Sequence, residues 1–159
     1  TDGIYAAEMH ISVDDFILFY ERTIGEMRRA INRCDDNTVN ALPPIPEPNS
    51  PYQLVNHSLS ACAWWTNHII CGHPTNRDRD NEFTSTGTVA ALHTQADEVV
   101  ALLHHLRPEL EAATELAGEA RTSLPLEEAW TVGKSLIHAY EELAQHLGHL
   151  EITVDLVTT

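Results

Sequence analysis

The stretch HAYEELAQHLGHLEIT, residues 138–153, carries three histidines and a glutamate at spacings of four, four and three. On a helix, residues four apart lie one above the other on the same face. Glu142 and His146 can therefore approach one cation together. Imidazole nitrogen and carboxylate oxygen both suit zinc, and a reactive zinc commonly takes three protein ligands and leaves a fourth position open. The third ligand then has to come from another helix. The plain alternative is a polar stripe beside an apolar one, in which Glu142 and His146 form an i, i+4 pair contributing about 0.2–0.5 kcal/mol.

His57 is the candidate for that third ligand. It stands in PYQLVNHSLSACAWWTNHII, residues 51–70, which contains no Asp, Glu, Lys or Arg. A helix without a charged face is buried on most sides. On a helical wheel His57 lines up with Ala61, Trp64 and His68. A neutral core histidine satisfied by a hydrogen bond is the plain alternative for it. His68, near the helix end, is expected to face a loop. The rings of His104 and His105 diverge by about 100° on a helix, so the pair chelates poorly. His10, His73 and His93 show no partner.

With His138 set at zero on the last helix, His149 falls near ~20°, Glu142 near ~40° and His146 near ~80°. The apolar stripe of Leu136, Tyr140, Leu143, Leu147, Leu150 and Val154 occupies roughly 120° to 200°. Glu142 and His146 thus border the core, and His138 and His149 are expected to lie further toward water.

The elements that must position these residues are helical. A first helix is expected from Ser12, whose hydroxyl can cap it while Asp14 and Asp15 favour the positive end of its dipole. Its apolar residues Phe16, Ile17, Tyr20, Ile24, Met27 and Ile31 recur at threes and fours. NALPPIPEPNSP holds five of the eight prolines and reads as a long loop. Ser50-Pro51 opens the second helix, with a capping hydroxyl before a proline at the first helical position. That helix ends near Cys71-Gly72, with Pro74 just beyond. HPTNRDRDNEFTST is polar and aperiodic and reads as a second loop. Ser85 or Thr86 is then expected to cap a third helix through Val89, Leu92, Ala96, Val99, Leu103 and Leu106, which Pro108 should kink or divide. A break from Gly118 to Ser123 precedes a last helix opening at Ser123 and running to about Leu156. No strand-like alternation appears, and the pattern predicts an all-α, four-helix bundle forming a single domain over residues 1–159.

Composition narrows the function. Hydrophobic residues make up 43% of the 159, enough for a core without staples. Twenty-four acidic against nine basic residues leave a net charge of −15, which repels nucleic acid. No 18-residue apolar run suggests a transmembrane helix, and TDGIYAAEMH lacks the layout of a signal peptide. Cys34, Cys62 and Cys71 are odd in number and lack CxxC spacing, as suits reduced thiols in a cytoplasm. Ten histidines direct attention to metal or proton chemistry.

Three segments carry a family likeness. LVNHSLSACAWW resembles the second helix of the DinB-like superfamily, and HAYEELAQHLGHLEIT resembles its final helix. RDRDNEF followed by STGTVAAL is similar to its actinobacterial branch. The likeness spans about residues 12 to 157. It implies a four-helix bundle, often dimeric, that binds a divalent metal through a histidine of the second helix and an i, i+4 pair of the last. In the mycothiol-using branch, which includes mycothiol-dependent maleylpyruvate isomerase, that pair is Glu and His. The matching positions here are His57, Glu142 and His146. The chain departs from the family in having Ala61 and Cys62 where an acidic residue is frequent, and LEITVD where an arginine often follows the final Gly-His.

The resulting expectation is a zinc- or nickel-dependent thiol S-transferase that activates mycothiol or a similar thiol as a metal-bound thiolate for attack on a small electrophile. Ser58, Trp64 and His149 are the candidates for binding the thiol cosubstrate. Trp65 and Trp130 are further candidates for pocket walls, and Cys62 reads as core. Two alternatives stay open: a thiol-dependent isomerase of maleylpyruvate type, which needs a carboxylate-binding arginine, and a non-catalytic dimeric metal-binding or stress protein with four protein ligands.

Overall fold

The computed structural model describes residues 11–118 and 130–159. Among them, α1 spans Val13–Ile31, α2 Pro51–Ala63, α3 Arg79–Glu82, α4 Val89–Ala112 and α5 Val132–Val157, with one 3₁₀ turn at Thr38–Asn40. No strand occurs among the described residues. The expected opening of the last helix at Ser123, most of the break before it, and His10 lie outside them.

Local chemistry sets the helix ends. Ser12 caps α1 and Ser50 caps α2, each in a reciprocal capping box, with Asp15 in the first case and Gln53 in the second. Thr131 caps α5 by accepting from the amide of Lys134, so the described helix begins at Val132. Two expectations are corrected. The cap of α4 is Thr88, which accepts from the amide of Ala91, rather than Ser85 or Thr86. Pro108 lies inside a helix that continues to Ala112 without being divided.

After Ala63 the backbone of α2 widens into a π-helical segment, Trp64–Ile70, where the amide of Cys71 reaches back five residues to the carbonyl of Thr66. Such widened turns are rare and recur at functional sites. This one buries Trp65 while Trp64 stays partly exposed. It ends at Gly72, whose φ of 76° suits glycine.

Around the bundle the order is α1, α5, α2, α4. Each of these helices packs on its two neighbours, and α1/α2 and α4/α5 stand on the diagonals. The 3₁₀ turn and α3 also pack on α2, which accounts for its lack of charge: it is covered on nearly every side. The core includes Tyr20, Ile24, Met27, Leu54, Leu59, Leu92, Leu103, Leu143 and Leu150, each 0–1% exposed. Tyr20 ties α1 to α5 by donating its phenolic proton to the carbonyl of Leu136.

The loops are pinned as well. Asn40 donates to the carbonyl of Gly87 at 2.7 Å and accepts from its amide at 3.0 Å. A Cβ on Gly87 would fall 2.5 Å from the Tyr52 ring, so only glycine allows this close approach. The clamp fixes the start of α4 against the turn before α2.

Truncating this core is expected to be costly. Leu59→Ala should lower unfolding stability by about 2–5 kcal/mol. Ile152→Ala, at a position 64% exposed, should stay within about 0.5 kcal/mol of wild type. Urea unfolding of the three proteins side by side checks the contrast.

Candidate metal centre

The structure brings His57, Glu142 and His146 together. One ligand atom from each lies within 4.8 Å of the other two. Glu142 Oε2 is 3.5 Å from His57 Nε2 and 3.5 Å from His146 Nε2. Donors on a tetrahedral ion with bonds of about 2.0–2.1 Å stand roughly 3.3 Å apart. Two of the three separations are close to that spacing and the third lies within 4.8 Å, so the donor set suits a divalent ion. Two helices supply the ligands: α2 gives His57, and one face of α5 gives the other two at i, i+4.

The burial of the three is graded. The His57 side chain is 5% exposed, His146 23% and Glu142 29%. One flank of the cluster is therefore set in the core and the other is reachable from solvent. The rings of His57 and His146 meet edge to face at 4.8 Å between centroids, and Phe83 packs against His57 at 4.6 Å.

Electrostatics follow from this packing. The imidazoles of His146 and then His57, each 3.5 Å away, outweigh the burial that would raise Glu142, and they hold its carboxyl far below the usual range. Burial acts to lower His57, yet the carboxylates of Glu142 and Glu82 on either side prevail and leave it raised. Glu142 is thus ionised at neutral pH, as a ligand must be.

Sequence reasoning had no place for Glu82. Its carboxylate lies 2.7 Å from His57 Nδ1, on the far side of the ring from Glu142. Arg77 grips the same carboxylate through Nε at 2.6 Å and Nη2 at 2.9 Å, while its guanidinium sits over the Trp64 ring at 5.5 Å. Burial opposes ionisation of Glu82, but Arg77 and then His57 overcome it and hold its carboxyl below the ordinary value. Arg77, Glu82 and Phe83 all belong to HPTNRDRDNEFTST. The available signal was the likeness of RDRDNEF to the family pattern, since an aperiodic loop gives no face to project.

A polar cavity of about 380 Å³ lies beyond Glu82 and Arg77, lined among others by Asn56, Ser60, Trp64, Asn67, His68 and Asn76. Trp64 is thus on a cavity wall, and Arg77 and Glu82 line the same cavity. Ser58 does not take part: it is fully buried, and its hydroxyl donates to the carbonyl of Leu54 at 2.7 Å. The expectation of a cofactor contact there is corrected, because the helix itself consumes the hydroxyl. The His149 ring stacks 6.4 Å from that of His146, and burial first, then His146, lowers its basicity.

His138 is also corrected. It is less exposed, at 14%, than Glu142 at 29%. Trp65 and Trp130 pack edge-on against its ring at 4.9 and 5.2 Å. It stays outside the three-residue cluster, its Nε2 lying 3.7 Å from Glu142 Oε1. His68 Nδ1 donates to the loop, 2.7 Å from the carbonyl of His73. His104 pairs with Glu21, His73 with Glu109, and His93 meets Asn32, all away from the cluster. Cys34, Cys62 and Cys71 are free thiols. Burial pushes Cys62 up to about 12 and, with Glu109 adding to it, Cys71 to about 11.

These directions give a pH dependence for the metal-free protein. The pKa of Glu142 is depressed from its ordinary 4.5, so its contribution to stability is in place above that value and is lost as pH falls through the folded pKa. The pKa of His57 is raised from 6.5, so its contribution is complete below that value and fades as pH rises through the folded pKa. Glu142→Gln should flatten the acid limb of a plot of urea midpoint against pH. An unchanged acid limb would show that Glu142 is not the group responsible.

No curated protein and no solved structure gives a match to the chain. The family model described as mycothiol-S-transferase matches residues 18–158, which takes in α1 from Leu18 onward, all of α2, α4 and α5, both contributors to the histidine cluster and the Arg77–Glu82 loop between them. The chain belongs to the mycothiol S-transferase family.

Proposed function

We propose that His57, Glu142 and His146 hold one divalent ion, zinc in the first instance and nickel as the nearest alternative, and that the protein uses it to join mycothiol or a similar small thiol to a small electrophile. The observation that carries this reading is the 3.5 Å spacing of Glu142 Oε2 from both imidazole Nε2 atoms, in a chain of a transferase family. When bound, the ion would lower the pKa of a thiol beside it, so that the cosubstrate reacts as its thiolate.

The chain's own residues do the rest. His57 and His146 donate as neutral imidazoles and Glu142 as a carboxylate, leaving the centre a net positive charge for an anionic sulfur. Three protein ligands leave room for that sulfur, and His138, packed against Trp65 and Trp130, lies outside the three-residue cluster. This favours a reactive centre over a closed structural one. Asn56, Asn67, Asn76 and Ser60 on the cavity wall suit a polar, hydroxyl-rich cosubstrate, and Trp64 on that wall and His149 beside His146 are the aromatic candidates for contact with it. Phe83 and the core side of His57 keep water from one flank of the ion.

One observation bears on the isomerase alternative. The loop does bring a cation close, but Arg77 spends two N–H groups on Glu82 and is already neutralised. A substrate carboxylate would have to displace Glu82, so transfer to an uncharged electrophile is the better reading. No described helix is long and apolar enough to cross a membrane. We place the enzyme in the cytoplasm, as one domain, alone or as a homodimer, with no nucleic-acid partner.

Elemental analysis after gentle purification tests the centre. Wild type should carry about one equivalent of a divalent metal, and His57→Ala should lose it while keeping its helical signal. Loaded wild type should then conjugate mycothiol to a fluorogenic electrophile, with the variant near background. A wild type that neither carries nor takes up metal would refute the reading.

A further inference from the structure

We infer that Glu82, clamped by Arg77, is the positioning residue for the metal-binding histidine of α2. By accepting from His57 Nδ1–H it fixes the tautomer and ring direction that present Nε2 to Glu142 and His146. The inference rests on the metal reading above and assigns that site a residue outside its three ligands.

The geometry makes the roles of the two ring nitrogens distinct. Nδ1 faces Glu82 at 2.7 Å, within hydrogen-bond range. Nε2 faces Glu142 at 3.5 Å, too long for a good bond but suited to sharing an ion. A neutral imidazole has one N–H and one lone pair. With the N–H committed to Glu82, the lone pair is left on Nε2. Without Glu82, the proton would be drawn instead to Nε2 by the carboxylate of Glu142, where it blocks a ligand.

The carboxylate itself is held on three counts. Glu82 is buried at 4% exposure, where an ionised carboxylate persists only if paired. Arg77 supplies that pairing through two nitrogens and is itself only 13% exposed. The one-turn helix α3, capped by Asp78, ends at Glu82 and delivers it to α2, on which α3 packs. Phe83 against the ring face then limits rotation of His57. A bare Arg77–Glu82 ion pair would explain the burial, but would not require the carboxylate to reach His57 Nδ1.

Histidine ligands orientated by a carboxylate typically lose 10–100-fold in metal affinity when that partner is removed. The test uses Glu82→Gln, which preserves size and one acceptor oxygen but removes the charge. Metal-free wild type and variant are titrated with Zn²⁺ against a chromophoric chelator. Imidazole ¹⁵N shifts of His57 are recorded on the metal-free proteins at a pH above the imidazole range. Urea unfolding of the metal-free pair shows whether the variant folds.

The expected result is a His57 carrying its proton on Nδ1 in wild type, and zinc binding about 10–100-fold weaker in Glu82→Gln. Equal zinc affinity in the two proteins overturns the inference while leaving the metal centre standing. If wild type takes up no zinc, the metal reading fails, and the wild-type tautomer alone decides the role of Glu82. A proton on Nε2 overturns it in that case, and equally if the variant does not fold.

Discussion

The centre depends on the position of one buried imidazole. His57 is the member of the cluster that α2 contributes, and it has Glu82 on one nitrogen and Glu142 on the other. A ring bracketed by two carboxylates in the core carries a large desolvation cost unless each negative charge has its own compensation. Arg77 supplies it for Glu82, and His146 contributes it for Glu142. Basic and acidic side chains therefore alternate from the loop through α2 to α5: guanidinium, carboxylate, imidazole, carboxylate, imidazole. The bundle is arranged to keep that row intact. α2 and α5 pack directly against each other, and α3 reaches α2 from outside.

The parts of this arrangement that were legible in the sequence are those governed by periodicity. The i, i+4 relation of Glu142 and His146 follows from helix geometry alone. The charge-free second helix announces its burial, and with it the need to account for His57. Ser12, Ser50 and Pro51 mark helix starts because their chemistry acts within four residues of chain. The all-α bundle followed from the same signals, and α5 shows the expected stripe, with Leu136, Leu143, Leu150 and Val154 in the core.

What was not legible depends on contacts between distant residues or on departures from ideal geometry. Glu82 meets His57 across 25 residues of chain, from a segment whose pattern says only that it is polar. His138 looked solvent-facing on a wheel, but a wheel records one helix and cannot register Trp65 on another or Trp130 just ahead of Val132. The projection of α2 past Ala63 assumed 100° per residue, and the widened turn from Trp64 breaks that assumption. Pro108 is a partial case: local propensity predicted a kink or a division, and the helix runs undivided to Ala112, with Leu103, Leu106 and Leu110 in the core. Ser58 illustrates a third kind: a hydroxyl beside a ligand position looks available until its bond to the carbonyl of Leu54 is seen.

The cysteines lend the chain a chemical immunity. A catalyst that makes small thiols attack electrophiles is itself exposed to those electrophiles, and any reactive thiol it displays is a target for self-alkylation. The thiolate is the attacking species. Burial raises Cys62 to about 12 and Cys71 to about 11, so at neutral pH both remain overwhelmingly protonated. Cys34 is pushed in the same direction, again chiefly by burial. Burial thereby holds back the attacking thiolate form at all three cysteines.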